Sequence, residues 1–184
     1  MNIFYIDLNS CDNNKVNEIY SLYNDGKVYT NELKKMQHYV GLYLVDFVAK
    51  NYFDIENTEI FYKEGKPYFK NNDLKFSISH SRNIVMVAFC DDEIGLDVEY
   101  NLEDRDFAKI IKRYNVEISD FDKKSLAEKR KIFYDFWTKN EAKIKLGKVF
   151  DEFFYTTSYL LKDFTITLAT LNAVNVEKLI DINL

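Results

Sequence analysis

The sequence is organised around residues 94–99, which read IGLDVE, and residues 76–81, which read FSISHS and precede them closely. In a β-strand alternate side chains share a face, so Gly95, Asp97 and Glu99 point to one side while Ile94, Leu96 and Val98 point to the other. Two carboxylates at this spacing are able to converge on one small cation. The alternative is a half-buried edge strand whose polar face is solvated.

The composition indicates a globular protein that lacks a positive field. Of the 184 residues 47% are hydrophobic and 16% aromatic, which is enough material for a core. The formal net charge of −5 argues against partners such as nucleic acid or an anionic membrane, although a basic pocket for one phosphorylated ligand is compatible with it. Cys11 and Cys90 have neither the number nor the spacing of a disulfide framework or a zinc cluster.

The chain carries few signals of segmentation or targeting. Pro67 is the only proline, and no linker or internal repeat is visible, so we expect one compact unit. The first residues lack the basic region of a signal peptide, and no apolar run approaches the ~20 residues that a spanning helix needs. These patterns predict a cytoplasmic protein.

The first long helix is predicted to begin at an N-cap, either Thr30 or Asn31, and to end near Asn51, because apolar residues recur there at helical spacing. Lys34 and Lys35 lie off this apolar stripe. They form a solvated face or reach an anionic ligand, and the spacing does not choose between the two.

The second long helix is predicted to start at a capping box formed by Ser125 and Glu128 and to end near Gly147. Shorter helices are expected at residues 15–23 and 103–114.

Short strands are indicated by alternating or continuous apolar residues between turn residues. A tight connection at residues 81–83 predicts a hairpin, which would place His80 at a strand end in the same small sheet as Asp97 and Glu99. Together the elements predict an α+β fold of small antiparallel sheets covered by two long helices. The predicted strands are residues 3–8, 60–62, 74–79, 84–89, 94–99 and 164–168, and residues 174–184 fit either a strand or a short helix.

Several polar residues are candidates for ligand contacts. Lys66 lies between Gly65 and Pro67 in a predicted tight turn, which leaves its backbone little freedom; it is either surface charge or a ligand contact. Ser79 and His80 come at a strand end, where they either form a turn or donate hydrogen bonds to a phosphate.

Trp137, Glu141 and Lys145 form a row on one face of the second long helix. Glu141 and Lys145 have the orientation of an exposed ion pair worth about 0.3–0.5 kcal/mol. The alternative is that Glu141 points inward and supplies a third carboxylate beside the two on the strand.

Four motifs, taken together and in order, resemble those of the Sfp-type 4'-phosphopantetheinyl transferases, a group within the holo-acyl-carrier-protein synthase superfamily. The N-terminal strand and helix also resemble the first lobe of that family, so the resemblance covers most of the chain. The motifs are residues 65–67 (GKP), 76–81 (FSISHS), 94–99 (IGLDVE) and 136–142 (FWTKNEA) with Lys145.

The resemblance implies a monomeric pseudo-dimer of two similar lobes, approximately residues 1–70 and 71–184, each a small antiparallel sheet packed against a long helix. Coenzyme A and Mg²⁺, with Mn²⁺ as a substitute, would bind in the cleft between the lobes. The implied reaction moves the 4'-phosphopantetheine group of coenzyme A to a serine of an apo acyl or peptidyl carrier protein and releases adenosine 3',5'-bisphosphate.

The resemblance also implies roles for residues that match the motifs. Asp97, Glu99 and Glu141 would hold the metal, and Glu141, Asp97 and His80 would be catalytic, with Glu141 or a metal-bound water as the general base. The residues implied in coenzyme A binding are Lys66, Pro67, Ser79, His80 and Lys145.

The chain departs from the family pattern at two positions. Asn140 stands where the family usually has a lysine, and Lys139 or Lys143 are its candidate replacements; Gln37 aligns with a family arginine. These departures motivate two alternatives, a degenerate member that binds coenzyme A without transferring, and an unrelated metal-binding α+β module.

Overall fold

The computed structural model describes residues 1–102, 105–114, 116–147 and 153–184, and these form a mixed α+β fold. No helix in these ranges combines the length and the apolar composition needed to cross a membrane. The helices are α1 (Asn13–Leu22), α2 (Glu32–Phe53), α3 (Phe107–Arg113) and α4 (Leu126–Leu146). The strands are β1 (Asn2–Asp7), β2 (Ile60–Lys63), β3 (Lys66–Phe69), β4 (Lys75–Ser81), β5 (Ile84–Cys90), β6 (Ile94–Tyr100), β7 (Tyr155–Leu161), β8 (Phe164–Thr170) and β9 (Lys178–Asp181).

A four-stranded sheet has the order β4-β5-β1-β9, and only its β1–β9 pair is parallel. The long helix α2 packs on one face of this sheet, where Val40 and Leu44 meet Phe4, Phe76 and Val87 in a buried core. The sheet joins β1 to strands that follow residue 70, the boundary between lobes implied by the resemblance.

A three-stranded antiparallel sheet has the order β6-β8-β7 and carries α4 on its outer face. Its inner face packs on the side of the first sheet that α2 leaves uncovered, with Leu96 and Ile166 against Ile3 and Met86. The layers therefore run from α2 through two facing sheets to α4. A separate hairpin of β2 and β3 lies beside β4.

Strands β4 and β6 belong to different sheets, so the prediction that His80 shares a small sheet with Asp97 and Glu99 is wrong. β6 pairs with β8 along one edge, and the N–H groups of its other edge donate to serine side chains of β4. A hydroxyl can accept such a bond where a neighbouring strand does not pair directly. The three bonds run from Leu96 N to Ser77 Oγ (2.9 Å), from Val98 N to Ser79 Oγ (3.1 Å) and from Tyr100 N to Ser81 Oγ (3.1 Å).

The prediction of an α+β fold with two long helices is confirmed. Asn31 caps α2, and the capping box of Ser125 and Glu128 starts α4, which ends at Gly147. Helix α3 is shorter than predicted and begins after an Asp106 N-cap. The start predicted for it at residue 103 lies outside the described residues.

The strands predicted at residues 3–8, 60–62, 74–79, 84–89, 94–99 and 164–168 are confirmed, and residues 178–181 form β9. The tight turn predicted at residues 65–67 is displaced. Glu64 and Gly65 form it, both with positive φ (52° and 85°), and Lys66 and Pro67 already belong to β3. Strand β7 was not predicted; it is an edge strand with mostly exposed residues, so its sequence lacks a strong apolar alternation.

Gly95 sets the distance between α4 and the sheet beneath it. A Cβ atom at this position would overlap the carbonyl oxygen of Ala142 and lie 2.5 Å from the backbone nitrogen of Leu146. Only a glycine allows the helix backbone to approach β6 so closely.

We expect Gly95→Ala to lower the free energy of unfolding by about 2 kcal/mol, because the methyl group must push α4 off the sheet. Urea denaturation measures this change. Gly41→Ala in α2 is the matched control, because its added Cβ meets nothing closer than Ile78 Cγ2 at 3.4 Å and alanine is the better helix former. Equal stability of Gly95→Ala and wild type would contradict the close approach.

Candidate functional site

Asp97 is the centre of the candidate site, where β4, β6 and α4 meet. Its Oδ1 atom accepts hydrogen bonds from Ser79 Oγ at 3.1 Å and from Lys145 Nζ at 2.7 Å. Its Oδ2 atom is buried and has no hydrogen-bond partner among the described residues. Only 5% of the residue is exposed, so one carboxylate oxygen is held away from water without a donor.

The sequence brings these groups together through local geometry. Asp97 and Gly95 share a strand face, and the absence of a side chain at Gly95 brings the last turn of α4 against that face. Ser79 uses all of its hydrogen-bonding capacity here, because it donates to Asp97 and accepts from Val98 N and from Lys145 Nζ at 2.8 Å. The serine therefore fixes both the strand and the acid.

Glu99 lies two residues further along the same face and is held on both oxygens. Its Oε1 accepts from Trp137 Nε1 at 3.0 Å, and its Oε2 accepts from Ser81 Oγ at 3.3 Å. Arg105 forms a longer ion pair with Oε2 at 3.5 Å. The predicted placement of Asp97 and Glu99 on one strand face is thus confirmed; α4 covers this face, so the acids do not lie on a solvated strand edge.

Glu141 faces the same cluster from α4. The carboxylate is partly buried and makes no hydrogen bond to any residue in the described ranges. Burial and the negative charge of Asp97 raise its pKa, and Lys145 opposes this rise. The exposed Glu141–Lys145 ion pair considered from the sequence does not form, because Lys145 binds Asp97 instead.

The three acids share one electrostatic environment. Burial raises the pKa of Asp97 despite the attraction of Lys145. Burial and then the charge of Asp97 raise the pKa of Glu99, although Arg105 and the bonds to Glu99 oppose the shift. A site that raises the pKa of three neighbouring carboxyls disfavours their negative charge, and a bound cation would relieve it.

The unpartnered Oδ2 of Asp97 fits a metal ligand, since a divalent cation is the natural partner of a buried carboxylate oxygen without a donor. The side chains as they stand do not form a finished metal site. Within residues 1–102, 105–114, 116–147 and 153–184 no three His, Cys, Asp or Glu side chains converge closely enough to hold an ion. A metal ion would therefore require these side chains to move closer together, and no hydrogen bond to a described residue holds Glu141 in its present place.

Lys66, which the sequence suggests as a surface charge or a ligand contact in a tight turn, is instead bound to neighbouring groups of the protein. Its ammonium forms an ion pair with Glu93 and donates to the carbonyl oxygens of Ile94 at 2.9 Å and Leu146 at 3.0 Å. All three of its donors are therefore used, and the lysine closes the C-terminal end of α4 onto β6. Burial lowers its pKa, although Glu93 opposes this.

His80 points to the opposite face of β4 from Ser79, towards α2, as strand alternation requires. It retains solvent exposure and makes no hydrogen bond to another residue in the described part of the chain. Partial desolvation in this crowded position and the charge of Lys145 lower its pKa, with smaller effects of His38 and Lys34 from α2. The neutral ring, next to cationic groups, is suited to donate to an anion.

The two departures from the family pattern have structural partners. Gln37 is buried on α2 and donates to the carbonyl oxygen of Arg82 at 2.8 Å, at the turn between β4 and β5. Asn140 donates to Phe136 O in its own helix at 2.8 Å. Lys139, one candidate replacement for the missing cation, forms an ion pair with Asp135 at 2.8 Å.

A cleft of about 800 Å³ lies beside Lys145, a volume within the range of small-molecule sites. The β2–β3 hairpin, β4 and the last turn of α4 form its walls. Its lining includes Gly65, Lys66, Pro67, Ser77 and Lys145, which belong to three of the four motifs that carry the resemblance.

Two side chains that bind Glu99 were not predicted from the sequence. Arg105 lies between β6 and α3, and nothing in the sequence pattern indicates that it reaches Glu99. Trp137 was expected only as an apolar neighbour, whereas its indole N–H binds Glu99. The sequence did indicate a role for Ser77 and Ser81, because together with Ser79 they occupy alternate strand positions and form a polar row on one face.

Comparisons with known proteins do not identify a relative. No protein-family model matches the chain, and no curated protein is found to match it.

We expect Asp97→Asn to raise the melting temperature at pH 7, because a buried carboxyl whose pKa is raised in the folded protein opposes folding once it is ionised. The Asp97 carboxyl holds its proton more tightly in the native state than in the unfolded chain. The increase in melting temperature caused by the substitution therefore becomes smaller as the pH falls from the raised pKa towards the ordinary pKa of an aspartate. Thermal unfolding monitored between pH 4 and pH 8 measures it.

Asp135→Asn is the control for the same chemical change on a half-exposed acid of α4, and we expect its free energy of unfolding to stay within about 0.5 kcal/mol of wild type. A lower melting temperature of Asp97→Asn at pH 7 would show that the Lys145 ion pair outweighs the burial of the carboxylate.

Proposed function

We propose that the protein is a Mg²⁺-dependent transferase that moves the 4'-phosphopantetheine group of coenzyme A to a serine of an apo acyl or peptidyl carrier protein. The products are the holo carrier and adenosine 3',5'-bisphosphate. The observation that carries the proposal is the meeting of Ser79, Asp97 and Lys145 at one point. These residues come from three of the resembling motifs and are up to 66 positions apart.

The architecture supports the same assignment. Each long helix covers one sheet, α2 the four-stranded sheet and α4 the three-stranded sheet, and the two sheets face each other. We interpret these as the two lobes of a pseudo-dimer. The cleft of about 800 Å³ between the β2–β3 hairpin and the end of α4 would then receive coenzyme A.

Asp97, Glu99 and Glu141 would hold the metal ion. When bound, the ion neutralises the negative charge that develops on the pyrophosphate as the leaving group departs. The raised pKa of each acid and the partnerless Oδ2 of Asp97 support a cation at this place. Mn²⁺ has similar ligand preferences and is the expected substitute.

Glu141 is the proposed general base. Its raised pKa brings the carboxylate closer to the value at which a base accepts a proton near neutral pH, and no hydrogen bond to a described residue restrains it. It would take the proton of the carrier serine hydroxyl. The serine oxygen then forms the new bond to the phosphopantetheine phosphorus, and the bond from that phosphorus to adenosine 3',5'-bisphosphate breaks.

Lys145 would neutralise a phosphate group in the cleft, which it lines from α4, and the neutral His80 ring would donate a hydrogen bond to a phosphate from the other face of β4. Lys66 is held by three partners at the end of α4, so its main contribution would be to fix the cleft wall. Pro67 forms part of the same wall.

A second candidate function is binding of coenzyme A without transfer. The bonds of Gln37 and Asn140 to backbone carbonyls favour it, since neither residue is directed to a phosphate. Under this hypothesis coenzyme A raises the melting temperature and gives a calorimetric binding signal, yet no carrier is modified.

We expect purified protein with Mg²⁺ and coenzyme A to add the mass of one phosphopantetheine group to an apo carrier serine, measured by mass spectrometry over a panel of fatty acid, polyketide and peptide carriers. Glu141→Gln should lower the transfer rate at least ~100-fold, because it removes the proposed base and a metal ligand. Asp135→Asn, on the same helix but outside the cluster, should retain the wild-type rate.

A panel without any modified carrier would refute transfer, and calorimetry with coenzyme A then separates the two candidates. Binding alone supports the second candidate, and absence of binding rejects both.

A further inference from the structure

Lys145 lies at the boundary between the carboxylate cluster and the cleft. Its ammonium contacts Asp97 Oδ1 at 2.7 Å and Ser79 Oγ at 2.8 Å, and the residue also lines the cleft. About a third of its side chain, 32%, is exposed, compared with 7% for Asp97. The lysine can therefore turn into the cleft without unpacking the core, whereas the acid is fixed on its strand.

Lysine alone does not satisfy Asp97. The ammonium and the serine hydroxyl both bind Oδ1, and Oδ2 has no partner among the described residues although the side chain is almost fully buried. A buried oxygen without a donor is costly. The present arrangement thus leaves the carboxylate able to gain a second cationic partner or to exchange the first.

The net charge of the cluster also favours a second cationic partner for Asp97. Three carboxylates, Asp97, Glu99 and Glu141, are opposed by two described cations, Lys145 and Arg105, that the structure couples to them. The cluster is therefore negative when all five groups are ionised, which repels phosphate. A divalent cation reverses the sign of this charge and makes the place attractive to an anion.

We propose that Lys145 is an internal counter-ion, which holds Asp97 in the metal-free protein and leaves it for the cleft when a divalent cation binds. The inference rests on the proposed function, because it takes the metal and the phosphate ligand from it. It adds an order to that function: the cation binds first, and the displaced ammonium then serves the phosphates in the cleft.

The protein contains its own reporter for this exchange. Trp137 is the single tryptophan of the chain, and its Nε1 donates to Glu99 Oε1 at 3.0 Å. A cation bound beside Glu99 changes the surroundings of the indole. Its fluorescence therefore follows metal binding without coenzyme A or a carrier.

The test titrates MgCl₂ into wild type and Lys145→Met, followed by Trp137 fluorescence and calorimetry. We expect Lys145→Met to bind Mg²⁺ about tenfold more tightly, because no ammonium competes for Asp97. Lys129→Met removes the same charge near the start of α4, where the ammonium donates to Asp122 O at 3.0 Å outside the cluster, and should stay within about twofold of wild type. Lys145→Gln provides a second variant if the methionine protein does not fold.

A direct measurement on the wild type accompanies the titration. In protein labelled with ¹³C-lysine, the Lys145 side-chain signal, assigned by its loss in Lys145→Gln, should shift as Mg²⁺ saturates. An unmoved signal at saturation, or Mg²⁺ affinity that is unchanged or weaker in the Lys145 variants, would overturn the exchange.

The outcomes separate the two proposals. Mg²⁺ binding and carrier modification by wild type, with no gain in affinity when Lys145 is replaced, would reject the counter-ion role and leave the transferase proposal standing. Mg²⁺ binding only after Lys145 is replaced would overturn the exchange, because the cation would then fail to displace the ammonium in the wild type, and it would also reject a Mg²⁺-dependent wild-type enzyme. Absence of binding in every variant rejects both.

Discussion

Strand β6 turns the N–H groups of one edge towards the serine side chains of β4, and the arrangement of the two sheets depends on these bonds. Leu96 and Val98 are buried, so an N–H group without a partner at either position would cost about 1–3 kcal/mol. Three hydroxyls at alternate positions of β4 satisfy this edge. Because each serine accepts through its oxygen, its own proton remains available for another acceptor, and two of the three donate to acids of β6.

The same hydrogen bonds thus join the sheets and position the acids. Ser79 connects Val98 to Asp97, and Ser81 connects Tyr100 to Glu99. Gly95 then brings α4 close enough for its last turns to cover the acids. A negatively charged cluster, with Asp97 buried and Glu99 and Glu141 partly buried, results from how the sheets and α4 meet, and burial raises the pKa of each carboxyl.

The local patterns of the sequence were sufficient to predict most elements and the face that Asp97 and Glu99 share. Helix caps such as Asn31 and Ser125 act within one turn, so adjacent residues reveal them. The pairing of β6 with β8 could not be predicted, since it joins segments about 70 positions apart and depends on the packing of both faces. The partners of Lys66 and Arg105 were missed for the same reason: long side chains reach groups that only the assembled fold brings near.

The resemblance and the structure carry different parts of the functional argument. The motifs suggest which residues bind metal and phosphate, whereas the structure determines which of these groups are free to do so. Lys66 is bound to the carbonyl oxygens of Ile94 on β6 and Leu146 at the end of α4, and the side chains of Gln37 and Asn140 are bound to backbone carbonyls. Lys145 forms its ion pair with Asp97 and also lines the cleft. Under the proposed function, phosphate binding would therefore depend on this lysine, and the charge of Asp97 that binds it would first have to be neutralised by another cation.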